Sequence, residues 1–143
     1  MLGAVDHVGY LALELDETIA EFTRVFGVQV VRRFERPAID VIGAYLGEGE
    51  GSVEVFTFGE RDLTERRLAG AAAALDHVAY AVDDIEAVAA SMRHVGVRFS
   101  GPDLRGELHE PIELGGVLHL WTLPETSAGQ TIQLLQRPAA PQR

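Results

Sequence analysis

The hydrophobic and polar positions of this chain repeat the same pattern of a strand and a helix 70 residues apart. The segments "VDHVGY" at 5–10 and "LDHVAY" at 75–80 alternate in the way that half-buried strands do. Each is followed by apolar residues at helical spacing. These are Ile19, Phe22 and Phe26 in the first copy, and Ile85, Val88, Met92 and Val95 in the second. The pattern therefore predicts two strands, each followed by an amphipathic helix.

Capping residues mark both ends of each predicted helix. Asp16 is the expected N-cap of the first helix, and Asp83 or Asp84 is the expected N-cap of the second, since a short acidic side chain can accept hydrogen bonds from the first turn. Gly27 and Gly96 are expected to end the helices, because glycine readily adopts the left-handed conformation found there. Capping residues at equivalent positions in both copies predict one duplicated structural motif.

Further strand patterns follow each predicted helix. They lie at 28–34, 40–46 and 52–58 in the first copy, and at 97–100, 117–123 and 131–136 in the second. One such unit leaves an apolar face of its sheet exposed to water, so two units are expected to bury these faces together. The sequence predicts an α+β fold of two tandem β-α-β-β-β modules that form a partial barrel or cup, with the helices outside.

The same pattern predicts the domain organisation. The whole chain, 1–143, is expected to form one domain of two modules. The first module spans about 5–58, and the second spans about 75–136. A linker at 59–74, which can itself be helical, joins the modules, and a proline-containing tail follows at 137–143.

Composition narrows the classes of function. The net charge of −10 argues against nucleic acid or an anionic membrane as a partner. The absence of cysteine excludes disulfides, thiolate metal sites and a cysteine nucleophile. No apolar run reaches the roughly 18 residues of a membrane span, and the first residues do not resemble a signal peptide. The expectation is a cytoplasmic protein whose partner is a small-molecule substrate.

Strand parity selects four polar residues as candidate metal ligands. Alternate residues of a strand face opposite sides, so the side that carries the bulky apolar residues should pack on the helix, and His7 and His77 should face the cup. Glu54 and Gln133 are polar residues in the middle of otherwise apolar strands. Burying them without partners would cost a few kcal/mol, roughly, and more for the carboxylate. One bound metal ion would satisfy all four side chains.

The segments that carry these residues resemble the vicinal oxygen chelate superfamily. This superfamily includes glyoxalase I, methylmalonyl-CoA epimerase, extradiol dioxygenases, and the bleomycin- and fosfomycin-resistance proteins. The match covers nearly the whole chain, and its most similar segments are "DHVGYLALELDETIAEF", "LDHVAYAVDDIEAVAASMRHVGVRF" and "TIQLLQ". The sequence is most like the methylmalonyl-CoA epimerases. By motif, the resemblance implies metal ligands at His7, Glu54, His77 and Gln133.

The resemblance also implies a type of chemistry. Two imidazoles and two oxygen ligands suit Mn, Fe, Co, Ni or Zn, and they leave positions where a substrate can chelate the ion through two oxygens. The ion would stabilise an enolate of that substrate while a base moves a proton, as in a metal-dependent isomerase, epimerase or lyase. Glu54 is the candidate catalytic residue, although a role as a fixed ligand is favoured. A homodimer is also consistent with this family.

The sequence departs from the epimerase pattern at three places. Gln133 stands where the family has a glutamate, and an amide cannot act as a base at neutral pH. The position of the family's other proposed base aligns with Ala38, with Glu35 and Asp40 as the nearest carboxylates. An additional loop occupies 101–116. These departures favour a substrate other than methylmalonyl-CoA.

Two other classes of function stay open. One is an Fe(II) extradiol-type dioxygenase, which the absence of a last-strand carboxylate disfavours. The other is a non-catalytic binding or resistance protein, which the four ligand-type residues disfavour. The segment "RRFER" at 32–36 can meet an anionic substrate or can protect a sheet edge. Three aromatic residues can line a pocket or belong to the core, namely Tyr45, Phe56 and Trp121.

Overall fold

The computed structural model describes residues 2–49 and 51–142. Contacts divide them into two compact units. The first unit is His7–His77, and the second unit comprises residues 2–6 and 78–142. Two strands contribute residues to both units, β1 (Val5–Ala12) and β5 (Ala73–Ala81).

The first unit contains a mixed sheet in the order β2-β3-β4-β1. Its remaining elements are α1 (Leu15–Phe26), β2 (Val30–Arg36), β3 (Val41–Leu46), β4 (Val53–Phe58) and α2 (Arg61–Leu68). β1 and β4 are parallel, and the other two pairings are antiparallel. The strand β2 is the edge of this sheet, and most of its residues are exposed.

Helix α1 covers one face of the first-unit sheet. Ile19 and Phe22 of the helix pack with Ala12, Ala44 and Val55 of the strands. Phe22 also meets the ring of Tyr10 edge-on, as strand parity predicts. This face therefore carries the apolar contacts that hold the helix to the sheet, and residues of opposite parity point to the other side.

The start of α1 differs from the prediction, while its end agrees. Glu14, not Asp16, is the N-cap residue, and no side chain caps the helix. Asp16 lies in the first turn instead, where it accepts a 2.8 Å hydrogen bond from Arg33. That ion pair and the favourable helix dipole account for its position. Gly27 ends the helix in the left-handed conformation, as predicted.

The opposite face of the sheet carries a second apolar cluster together with the candidate ligands. Leu11, Phe56 and Phe58 pack there against Leu63 and Leu68 of α2. The segment at 59–74, predicted as a linker that can be helical, therefore contains a helix that packs against the sheet. Its amphipathic character is weak, so the contacts with the sheet rather than its own periodicity position it.

The second unit repeats the arrangement with one additional strand. Its sheet has the order β5-β9-β8-β6, and β7 pairs with β8. Its elements after β5 are α3 (Ile85–His94), β6 (Phe99–Ser100), β7 (Ile112–Leu114), β8 (Val117–Thr122) and β9 (Ile132–Gln136). Helix α3 packs on the sheet through Ile85 and Ala89, which contact Leu120 and Leu134. The Asp84 side chain caps it by accepting a hydrogen bond from the Ala87 N–H.

The α+β class and the two successive β-α-β-β-β motifs are confirmed, with sheets that are open rather than closed into a barrel. The segment 101–116, predicted as an additional loop, instead contains the strand β7, because Ile112–Leu114 pairs antiparallel with β8. Helix α3 ends one residue before the predicted stop, with Val95 as the C-cap and Gly96 following at a φ of +96°. The module boundaries stay a prediction, and Arg143 of the predicted tail lies outside the described residues.

No helix among residues 2–49 and 51–142 is long and apolar enough to cross a membrane.

Candidate metal centre

Three of the four predicted ligands meet inside the first unit. The Nε2 atoms of His7 and His77 are 3.4 Å apart. Each of them lies 3.5 Å from a carboxylate oxygen of Glu54. All three side chains are buried, with 2–5% of each residue exposed. We call His7, Glu54 and His77 the metal group.

The spacing of these atoms fits a divalent ion. Ligand atoms about 2.1 Å from one ion are roughly 3.0–3.4 Å from each other in octahedral or tetrahedral geometry. The three observed separations of 3.4–3.5 Å come close to that range before any ion draws the ligands inward. The donor set of two imidazole nitrogens and one carboxylate suits Mn, Fe, Co, Ni and Zn. The residues present therefore fit a metal.

Strand parity and one glycine place the imidazoles at this position. His7 and Leu11 share the parity of β1 that faces away from α1, and Gly9 lies between them. Gly9 pairs with Glu54 in the parallel ladder, so the carboxylate stands on the same face. A Cβ atom at Gly9 would lie only 2.2 Å from Cε1 of His77. The absence of a side chain at Gly9 is therefore what admits the second imidazole.

The Asp of the second Asp-His pair orients its histidine. Nδ1 of His77 donates a 2.8 Å hydrogen bond to Asp76, which leaves the lone pair of Nε2 directed at the metal group. Arg67 of α2 forms an ion pair with the other oxygen of Asp76. Burial alone would raise the pKa of Asp76, but the His77 hydrogen bond and the Arg67 charge outweigh it and lower that pKa. Asp76 is thus held as a carboxylate.

Tyr45 is the aromatic neighbour of the metal group. Tyr45 and Glu54 are paired across β3 and β4, so the Tyr45 side chain lies on the face of the sheet that carries Glu54. The Tyr45 ring also meets the His7 ring edge-on at 5.5 Å. Burial raises the pKa of Tyr45, and the charge of Glu54 raises it further. The phenol beside Glu54 therefore stays protonated.

The fourth predicted ligand, Gln133, lies in the second unit and is buried, with 2% exposed. Its amide nitrogen donates a 2.9 Å hydrogen bond to Nδ1 of His119. His119 stacks on the Trp121 ring, whose buried indole N–H has no hydrogen-bond partner among the described residues. The carbonyl oxygen of Gln133 is the atom that would ligate a metal. The role of Gln133 as a ligand stays a prediction.

Neither carboxylate nearest to Ala38 belongs to the metal group. Glu35 has the parity of the α1 face, where it lines a cleft of about 670 Å³ with Arg33 and Ile42. Asp40 immediately precedes β3 and accepts a 2.9 Å hydrogen bond from the backbone N–H of Glu60. Ala38 itself is exposed. The first unit therefore provides no replacement at this position for the base that the epimerase pattern has there.

Sequence reasoning missed the roles of Asp76 and Tyr45. The repeated Asp-His pair was visible as a motif, yet nothing in it distinguishes a carboxylate that orients the next side chain from a solvated one. The sequence predicts only that Tyr45 lines a pocket or belongs to the core. The register of β3 against β4 would have identified it, because the residue opposite Glu54 must share its face.

Comparisons with known proteins agree with the fold. The crystal structure of methylmalonyl-CoA epimerase from Mycobacterium tuberculosis superimposes with a TM-score of 0.78 at 17% identity, covering 96% of this chain and 90% of that one. A selenomethionine methylmalonyl-CoA epimerase gives 0.75 at 28% identity, covering 97% and 99%. A variant of the Streptomyces coelicolor epimerase in complex with 2-nitronate-propionyl-CoA gives 0.75 at 21%, covering 97% and 100%.

A comparison with curated protein sequences finds no significant match. A family model does match, over residues 6–110, which include the metal group. The duplicated motif, the buried histidines and carboxylate, and this match agree: the chain belongs to the glyoxalase/bleomycin resistance protein/dioxygenase superfamily.

Proposed function

We propose that this protein is a divalent-metal-dependent isomerase, epimerase or lyase. Its substrate would carry two neighbouring oxygens that chelate the ion. The observation that carries this proposal is the buried convergence of His7, Glu54 and His77. Two imidazoles and a carboxylate share one face of the sheet there, and Asp76 orients the imidazole of His77. A purely structural cluster would not need a second carboxylate that directs the Nε2 lone pair of one histidine at the other two side chains.

Each residue has a definite task in this proposal. His7 and His77 would hold the ion through Nε2, and Gln133 is proposed to add its carbonyl oxygen. The bound ion would supply Lewis-acid stabilisation of the negative charge that develops on the substrate oxygens. Of the two carboxylates at the metal group, Asp76 is engaged by Arg67. Glu54 is the remaining candidate to accept the proton at a carboxylate oxygen, although a role as a fixed ligand is favoured.

The preferred substrate is not methylmalonyl-CoA. Gln133 would leave Glu54 as the sole anionic ligand, which makes the ion a stronger Lewis acid than one with two carboxylates. The lack of a base beside Ala38 favours the same conclusion. The chemistry of the neighbours, which are methylmalonyl-CoA epimerases, is therefore proposed here only at the level of metal-assisted proton transfer next to a carbonyl.

Exchange of substrate hydrogen with solvent tests this function directly. Protein purified without chelator is analysed for bound metal, loaded with Mn, Co, Ni or Zn, and incubated in D₂O with a panel of α-oxygenated acids and thioesters. We expect deuterium incorporation at the carbon next to a carbonyl in at least one member. His77→Ala should abolish both metal binding and exchange. His94→Ala, which removes an exposed histidine, is the matched control.

Two results would contradict the proposal. One is a chain that binds no divalent metal, which would favour a non-catalytic binding protein. The other is oxygen consumption with catechols and Fe(II), which would identify a dioxygenase instead.

A further inference from the structure

We propose that Arg32 and Arg36, held against Tyr45 beside the metal group, bind an anionic group of the substrate. The group would be a carboxylate or a phosphate, separate from the oxygens that chelate the metal. The identification of the bound anion as part of the substrate rests on the proposed function. The anion site itself is argued from the residues of the first unit alone.

Strand register puts these arginines on the same face of the sheet as the metal group. Arg32 is paired with Tyr45 across β2 and β3, and Tyr45 is paired with Glu54 across β3 and β4. Paired residues of neighbouring strands point to the same side of a sheet. Arg36 has the parity of Arg32 and therefore points to that side as well. The backbones of Arg32 and Glu54 are two strands apart, roughly 10 Å.

Aromatic side chains hold both guanidinium groups near the Tyr45 phenol. The Arg32 guanidinium carbon lies 4.6 Å from the centre of the Tyr45 ring. Arg36 donates a hydrogen bond of 3.3 Å to the Tyr45 hydroxyl, and its guanidinium carbon lies 4.4 Å from the centre of the Phe34 ring. Stacking of this kind orients a guanidinium while leaving most of its N–H donors available to a ligand.

The charges of these two arginines are not balanced by carboxylates. The chain has 22 acidic residues against 12 basic ones, so an arginine seldom lacks an acidic neighbour. Arg33, between them in sequence but on the opposite face, is paired with Asp16 at 2.8 Å. In the described part of the chain, by contrast, Arg32 and Arg36 form no ion pair. Two oriented cations without anions next to Tyr45 make a site suited to an oxyanion.

Protection of the sheet edge is the competing explanation. Charged residues on an edge strand discourage pairing with another chain, and β2 is such an edge. That role depends on charge alone and is served equally by Arg33. It gives no reason for the contacts of Arg32 and Arg36 with Tyr45, the residue that is paired with Glu54 on the neighbouring strand. The two explanations therefore differ in whether Arg32 and Arg36 are special among the arginines of β2.

Titration with small anions separates these explanations. Inorganic phosphate and malonate are titrated calorimetrically, at constant ionic strength, into the unaltered protein and into Arg32→Gln, Arg36→Gln and the control Arg33→Gln. Loss of one charge-assisted hydrogen bond weakens binding by about 10-fold or more. We expect that loss in the first two variants and less than about a two-fold change in the control. Preference for phosphate or malonate identifies which anion the substrate carries.

The possible outcomes distinguish failure of the anion site from failure of the proposed function. Equal losses in all three variants, or no anion binding to the unaltered protein, would overturn the anion site. The titrations are repeated on chelator-treated protein, where phosphate binding should persist because the arginines do not depend on the metal. A protein that binds phosphate through Arg32 and Arg36 but binds no metal would support the anion site and refute the proposed function. Metal-dependent exchange together with unchanged anion binding in Arg32→Gln and Arg36→Gln would support the proposed function and overturn the anion site.

Discussion

Gly9→Ala tests the metal group without removing any ligand. The added Cβ atom would lie 2.2, 2.4 and 2.7 Å from three ring atoms of His77. Ordinary van der Waals contact begins at 3.4 Å, so the imidazole must move by about 1.2 Å, the difference between 3.4 and 2.2 Å. Metal ligands tolerate displacements of about 0.2 Å. The substitution should therefore take Nε2 of His77 out of range of an ion shared with His7.

The expected results are loss of metal affinity and a moderate loss of stability. Displacement of a side chain that contacts the ion directly should weaken metal binding by at least about 10–100-fold. Substitution of residues that only orient the ligands already causes losses in that range. The strain of overpacking should lower the free energy of unfolding by about 1–3 kcal/mol. Calorimetric titration with Zn²⁺ measures the first quantity, and urea denaturation of the metal-free protein measures the second.

Gly101→Ala is the matched control for Gly9→Ala. The nearest atom to a Cβ at Gly101 would be 3.5 Å away, and the backbone there is not left-handed, so affinity and stability should both stay near those of the unaltered protein. A folded Gly9→Ala protein that binds Zn²⁺ as tightly as the unaltered protein would refute the argument. His77 would then have to reach the ion from a different position, or not be a ligand.

Three further outcomes are expected. Asp76→Asn should weaken Zn²⁺ binding by about 10–100-fold, because the charged acceptor that orients His77 is lost, and a calorimetric affinity equal to that of the unaltered protein would contradict this. Gln133→Glu, like the unaltered metal-loaded protein, should show no methylmalonyl-CoA epimerisation, because the base beside Ala38 is lacking as well. Robust epimerase activity in the unaltered protein, or activity gained by Gln133→Glu, would argue against our preferred substrate class. Asp84→Ala should lower the free energy of unfolding in urea by about 1 kcal/mol through loss of the α3 cap. Asp83→Ala, at the neighbouring exposed position, should leave that free energy nearly unchanged.

Much of the site could be anticipated from local sequence pattern. Alternation along a strand determines which side chains share a face, so His7 could be assigned to the face opposite α1 from "VDHVGY" alone. The same reasoning applied to Glu54 within "SVEVFTF". Duplication then predicted that the second histidine, His77, belongs with the first. The structure brings all three residues together.

Helix boundaries were anticipated where the deciding interaction is local. Gly27 ends α1 because a left-handed residue is needed there, and Asp84 caps α3 through a residue three positions away. The prediction that Asp16 is the N-cap is wrong, because its carboxylate accepts a hydrogen bond from Arg33, which is 17 residues away. A partner this far away in the chain cannot be identified from the periodicity of the local sequence.

The supporting contacts of the metal group depend on register and packing between segments far apart in the chain. Glu35 and Tyr45 were both plausible site residues from sequence, yet β2 turns Glu35 toward α1 while β3 sets Tyr45 opposite Glu54. A shift of one residue in either strand would exchange these faces. Arg67 reaches Asp76 only because α2 packs on the sheet. Period-two alternation is local, so the fold class and the faces of His7, Glu54 and His77 could be predicted from the amino-acid pattern alone. The groups that orient those ligands depend on strand register and helix packing, which are set by contacts across the whole unit.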